Sequence, residues 1–419
     1  SQHSTPHPAF RRHCSEPAAM AEAKRARAAP LHPALPDEIF IWEVLLRLPP
    51  KPLLRCRAVS RAWRRTTSAR DFLLAHHTRQ PSLPLLYESE DTDDGGGYLD
   101  VMPLDRRAGV AAADQLHALA RFDTGGDFTH IEASCDGLLM LCTKETDWCL
   151  SDVAYYSVCN PATRQYAPLP QLRGFCIAGM YPHPPTGEYR LLMCLDALLE
   201  HERQDAPEPD AGHHLYIYTL GSREPPRDIG WEEEEAAIHT REPVLFRGGL
   251  HWFIEKEDCS ESCMIMVFDT IAELFRRMRA PAVPSVAQLF EMDEMLGMVS
   301  FIDETATIDI WTAQDYDSEV WAFKYRVQLP AADLTSRFGF NKYNSNLVVS
   351  SRDDDDDLLI LVKSGKWLLQ IDTGGKLVAS SHHESLGITQ FLLKQTLVQH
   401  TFFPTIEGYV VNDWPFFSP

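Results

Sequence analysis

The chain has 419 residues, 44% hydrophobic, 10% aromatic and 24% charged, a composition able to bury a core and unlike that of a disordered chain. Its formal charge of −21 speaks against a nucleic-acid partner, because phosphate-backbone binding rests on clustered Lys and Arg that displace counterions. No apolar run reaches the ~18 to 20 residues that cross a bilayer, and the ten cysteines show neither CxxC pairs nor the density of a secreted scaffold, so no membrane partner is expected and the expected address is cytoplasm or nucleus.

Residues 1–30 are rich in Ala, Pro, His and Arg and read as a disordered leader outside the fold, with the Lys24-Arg25-Ala26-Arg27 cluster a solvated tail. Residues 35–80 then carry helical patterns without a single glycine. The first helix has Pro36 in its opening turn, Asp37 and Glu38 where the helix dipole favours negative charge, and a stop at Pro49-Pro50. Between Ile39 and Leu48 only Glu43 and Arg47 are charged, so the helix is apolar almost all round and must be buried on several sides. A head of ~45 residues can bury only a modest core alone. It also holds nine Lys or Arg against four acids, which predicts an acidic helical partner steered by charge and anchored by apolar contacts.

After Pro84 the texture changes to short β-branched or aromatic runs separated by Gly, Pro, Asp and Asn, the pattern of many strands joined by hairpins. One phrase recurs, an apolar strand, a polar turn and a second strand ending near proline, best seen around Asn160-Pro161 and Asp269-Thr270 and more weakly at Asp105, Thr219, Thr312 and Asp372. These turns are about 43 to 60 residues apart, close to the period of propeller blades. A second phrase sets a glycine before a continuous apolar run, at Gly137-Leu138-Leu139, Gly249-Leu250 and Gly297-Met298, as a blade strand buried on both faces requires. Residues 95–415 therefore read as a β-propeller-like domain of about six or seven blades, whose closure protects strand edges. Acidic tracts at 88–94, 232–235 and 353–357 read as solvated loops.

The head also resembles a known family. Leu35-Pro36-Asp37-Glu38-Ile39, Leu45-Leu46-Arg47-Leu48-Pro49 and Leu53-Leu54-Arg55-Cys56-Arg57-Ala58-Val59-Ser60-Arg61-Ala62-Trp63-Arg64, followed by Asp71-Phe72, strongly resemble the F-box, a small three-helix module. Cys135-Asp136-Gly137-Leu138-Leu139 and Asn160-Pro161-Ala162-Thr163 resemble, more loosely, the kelch-like propeller domain associated with plant-type F-boxes. The resemblance implies a non-catalytic substrate adaptor of a ubiquitin ligase without cofactors: the F-box docks on an SKP-family adaptor, which connects to a cullin and a RING protein, and the propeller binds a protein target. Carried over by position, Leu35, Pro36, Ile39, Leu45, Leu48, Pro49, Leu53, Leu54, Val59 and Trp63 face the adaptor or support the head; Trp42 faces either the partner or the body.

Two other readings compete. A scaffold would use the same ring to bind a partner without ubiquitylation, and a propeller enzyme would place a metal or hydrolytic site in the central channel. The pairs His76-His77, His213-His214 and His382-His383 put neighbouring rings on different faces and read as surface loops, not metal ligands. No Gly-x-Ser-x-Gly, His-Glu-x-x-His, P-loop or Gly-x-Gly-x-x-Gly motif is present. Trp148, Trp231 and Tyr316 are rim aromatics of the kind that propellers use for binding, but no residue is assigned to a substrate.

Overall fold

The computed structural model describes residues 39–91, 96–104, 116–144, 154–195, 214–230, 242–254, 263–283, 287–292, 294–302, 305–340, 345–351, 358–413 and 415–417. The acidic tracts at 232–235 and 353–357, the turn at Asp105, and Leu35, Pro36, Trp148 and Trp231 lie outside them.

The strands form six antiparallel sheets arranged as blades. Blade 2 runs outward through Phe128–Cys135, Leu138–Lys144, Ala154–Asn160 and Gln165–Pro168. Blades 3 to 6 repeat this order, starting from Phe175–His183, Val244–Phe246, Ala287–Met292 and Ser345–Ser351. Blade 1 is composite: its edge strand is Leu386–Lys394 from near the C-terminus, paired with Ser82–Asp91 from just after the head. That pairing closes the ring, and a two-residue strand, Phe416–Phe417, extends the opposite edge of the same blade.

The apolar runs of the sequence are explained by what lies on each side of a blade. Side chains alternate across a strand, and here both faces meet another blade. Within Leu358–Ser364 of blade 6, Leu358, Ile360 and Val362 enter a core shared with blade 5, while Leu359 and Leu361 enter one shared with blade 1. Six such wedges separate the six blades. Each buried aliphatic side chain contributes about 1.5 to 3 kcal/mol, so the ring is held by many small increments.

The recurrent turns are where a blade's third strand meets its fourth, at Asn160, Thr219, Asp269 and Asp372. Thr312 is different: it lies inside the strand Thr307–Asp315, paired with Gly297 on one side and Ala322 on the other, and the turn follows Asp315, whose carboxylate accepts the Ser318 N–H. The glycine-led runs at Leu138, Gly249 and Gly297 belong to the second strand of their blades. Asp136 and Gly137 both have positive φ, 50° and 84°, which is the two-residue hairpin geometry that Asp-Gly favours. The first acidic tract also departs from a loop, since Glu88–Asp91 are paired with Gly97–Asp100 as strand.

The head consists of a π-helical turn, Phe40–Val44, a 3-10 turn, Leu45–Arg47, and three helices, α1 (Pro50–Cys56), α2 (Arg61–Thr67) and α3 (Arg70–Arg79). Ser60 caps α2 through the Ala62 N–H at 3.2 Å. A further helix, α4 (Ala331–Phe338), links blades 5 and 6 and ends at Gly339, whose φ of 65° suits the left-handed cap. No helix among the described residues is long and apolar enough to cross a membrane.

Candidate functional site

A first helix apolar on all sides has to distribute those sides, and it does so unequally. Ile41, Leu45 and Leu46 turn inward and pack with Leu53 and Phe72 into a small core completed by Leu397 of the ring's C-terminal segment, with Ala162 of blade 2 against it. Ile39, Trp42 and Val44 turn outward and stay 46%, 40% and 39% exposed. From α1 and the turn after it, Leu54 and Val59 are 42% and 72% exposed. Six of the twelve large exposed hydrophobics among the described residues lie in this small head, a concentration beyond scattered surface exposure.

Among the described residues, those singled out in the sequence therefore fall into three groups, buried, half-buried and exposed. Leu45 and Leu53 are fully buried. Leu48 is half-buried, its carbonyl accepting the His76 Nε2–H at 2.8 Å, and Trp63 is half-buried, stacked on Phe40 at 4.6 Å between ring centroids. Ile39, Pro49, Leu54 and Val59 are exposed. Trp42 is exposed yet touches the head core, 5.6 Å from the Phe72 ring.

His76 and His77 sit on α3 rather than in a surface loop. Burial holds His76 below the usual imidazole range, so it is neutral at pH 7 and can donate one hydrogen bond without burying a charge. His77 reaches the ring instead: its Nε2 is 3.5 Å from Oδ1 of Asp136, whose other oxygen accepts from the Tyr189 hydroxyl at 3.2 Å. A cavity of about 500 Å³ lies along this seam, lined in part by Arg70 and Leu73 of α3, Gln165 of blade 2, and His400 and Tyr409 of the C-terminal segment. Burial lowers the His400 pKa to about 4, so no charge on His400 opposes Arg70 there at neutral pH.

A smaller channel of about 260 Å³ is lined by Ser134, Asp136, Phe290, Glu291, Gln390 and Lys394 among others. On blade 2, His130, Glu132 and Cys142 bring three possible metal donors within 4.8 Å of one another; in the sequence they carry no recognisable spacing, because two strands and a bulge are needed to assemble them. Tyr316, a rim candidate, is half-buried and fixed: its hydroxyl donates to His251 Nε2 at 2.7 Å and accepts from Arg276 at 2.7 Å.

Two family models match the chain, the F-box domain over residues 33–74 and the F-box associated beta propeller domain over residues 112–353. Among curated relatives, F-box protein At5g49610 of Arabidopsis thaliana is 25% identical over 304 residues, covering 68% of this chain and 77% of that protein. F-box protein CPR1, also of Arabidopsis thaliana, is 22% identical over 329 residues, covering 70% of this chain and 72% of that protein.

Proposed function

Because the chain belongs to the family of F-box proteins with an F-box associated beta propeller, we propose that it is a substrate-recognition subunit of an SKP–cullin–F-box ubiquitin ligase. Its head docks on an SKP-family adaptor, and through it on cullin and RING subunits, while the six-bladed ring binds a protein target. The bond-making chemistry belongs to the other subunits, and this chain supplies proximity. Tethering a target beside a reactive centre raises its effective concentration to the millimolar range for short connections, without any catalytic group on the tether.

The single observation that carries this reading is the division of the head into a seated side and an open side. Leu45, Leu53 and Phe72 are spent on holding the head together and against Leu397, whereas Ile39, Leu54 and Val59 are left facing solvent. Anchors of a binding interface have that character, since a side chain already committed to the core has little surface left to bury against a partner. Arg55, Arg61, Arg64 and Arg65 are exposed on the same head and give it a positive field within an acidic protein. The site of action we assign is cytoplasm or nucleus.

The test is co-purification with an SKP-family adaptor. Leu54→Asp combined with Val59→Asp places charge on exposed positions, so the fold is retained and capture is lost by at least tenfold. Leu53→Ala is the control: a fully buried leucine costs about 2 to 5 kcal/mol of stability, and its effect is on folding. A folded Leu54/Val59 double variant that binds as well as wild type overturns the proposed docking face. The scaffold reading predicts the same docking, and it is separated by the target's half-life, which lengthens on deletion of the head only if the target is being ubiquitylated.

A further inference from the structure

In blade 2 the innermost strand is paired with its neighbour so that His130 stands directly opposite Cys142. The register slips between Ile131 and Ala133, leaving Glu132 as the extra residue of a β-bulge. A bulge re-aims the side chain it carries, and the Glu132 carboxylate turns back on the imidazole, Oε2 2.8 Å from His130 Nε2. An imidazole nitrogen, a carboxylate oxygen and a sulfur thus lie within 4.8 Å of one another on one bulged hairpin.

We infer that His130, Glu132 and Cys142 form a binding site for a borderline transition-metal dication, Zn²⁺ first among them. The donor set decides the class of metal. A thiolate and an imidazole with one carboxylate match Zn²⁺ and its spectroscopic substitute Co²⁺, whereas Mg²⁺ and Ca²⁺ require oxygen donors. Zinc bonds of about 2.0 to 2.3 Å hold ligand atoms about 3.3 to 3.8 Å apart in a tetrahedron, so the widest separation, at most 4.8 Å, must close by about 1 Å while the His130–Glu132 pair opens from 2.8 Å, adjustments of side-chain rotation. Either nitrogen of His130 can serve: Nε2 faces Glu132, and Nδ1 is buried without a hydrogen-bond partner. Three protein ligands leave a fourth corner for water. Binding displaces the thiol proton of Cys142 to solvent, and no electron changes hands.

Titratable groups of both signs face the site from the elements packed around it. Glu242, on the segment entering blade 4, lies within electrostatic reach of both Glu132 and His130, and burial with Glu132 nearby pushes its carboxyl up to about 7. The Cys176 thiol of blade 3 and the Tyr156 hydroxyl border Cys142. Lys144 is the fixed positive charge acting on Cys142 from its own strand. A metal here ties the bulge of the innermost strand to its neighbour, which stiffens the wall of the ring.

The experiment is titration of the chelator-treated full chain with Co²⁺. One equivalent should produce tetrahedral ligand-field bands together with a thiolate charge-transfer band in the near ultraviolet, both abolished by Zn²⁺. Cys142→Ser should remove the charge-transfer band, and Glu132→Gln and His130→Gln should each weaken affinity by at least tenfold. A wild-type chain that develops no thiolate band overturns the site, and so does a band that persists in folded Cys142→Ser. Should Cys142→Ser fail to fold, Glu132→Gln decides: unchanged affinity in that near-isosteric variant removes the proposed ligand set.

Discussion

Asp136 occupies a position where one carboxylate serves both the ring and the head. Its positive φ makes the hairpin between the first two strands of blade 2, and its side chain takes His77 from α3 and Tyr189 from blade 3. Burial pushes its carboxyl up, but the hydrogen bond from His77 and the charges of His77 and Lys394 outweigh this and hold it below the ordinary value of 3.8. A carboxyl depressed in the folded state contributes stability that is fully present above its unfolded pKa and is lost as pH falls through the folded one. Asp136→Asn should therefore cost about 1 kcal/mol at pH 7, a modest figure because the pair is partly open to water. In urea unfolding followed against pH, the gap between the two proteins should narrow as the pH falls below the ordinary carboxyl value of 3.8. The hairpin itself was legible, since Asp-Gly between apolar runs is a strong short-range signal. The neighbouring Gly137 adds a reason no local pattern carries: a Cβ there would collide with the Lys394 carbonyl and with Thr396 on the returning C-terminal chain.

Elements were readable wherever a single strand carried its own evidence. Continuous apolar runs identified the strands with two buried faces because each face meets a different blade. Thr312 misled because Trp311-Thr312-Ala313-Gln314 lacks the proline or glycine that marks a turn, and the strand runs on to Asp315. Helix α4 was missed in a body read as all strand, although Pro330 before it and Gly339 after it are ordinary helix boundaries. Within the head, the seven residues of α1 are too few to establish a periodicity, so the sequence could not separate buried Leu53 from exposed Leu54. The strand Leu386–Lys394 poses a different problem, as its partner lies some 300 residues earlier in the chain. A chain ending at Ser385 loses that strand, unpairs one edge of Ser82–Asp91 and opens the cores built on Leu386, Ile388, Phe391 and Leu393. Unpaired edges with exposed apolar faces associate, so this truncation should yield aggregated protein in size-exclusion chromatography while the full chain elutes as a discrete species.

At the scale of the whole molecule, the relation between head and ring decides how a bound target is presented. Helix α3 ends at Arg79 and the first strand of blade 1 begins at Ser82, so only Gln80 and Pro81 separate them. The short joint is not the only restraint, because Leu397 and Ala162 pack on the head core and His77 reaches Asp136. These two restraints can be separated by experiment. Inserting about ten Gly/Ser residues after Gln80 relaxes the covalent joint, at a closure cost of only about 1 to 2 kcal/mol, and the head should stay seated with the radius of gyration unchanged in small-angle X-ray scattering. Leu397→Ala alone weakens the seat but leaves the short joint, and should likewise keep the radius of gyration. Combining the two removes both restraints and should increase it measurably, a non-additive effect of the kind expected when two restraints hold the same interface. If the insertion alone releases the head, the packing at Leu397 is not what seats it and the orientation of a bound target rests on the Gln80-Pro81 joint.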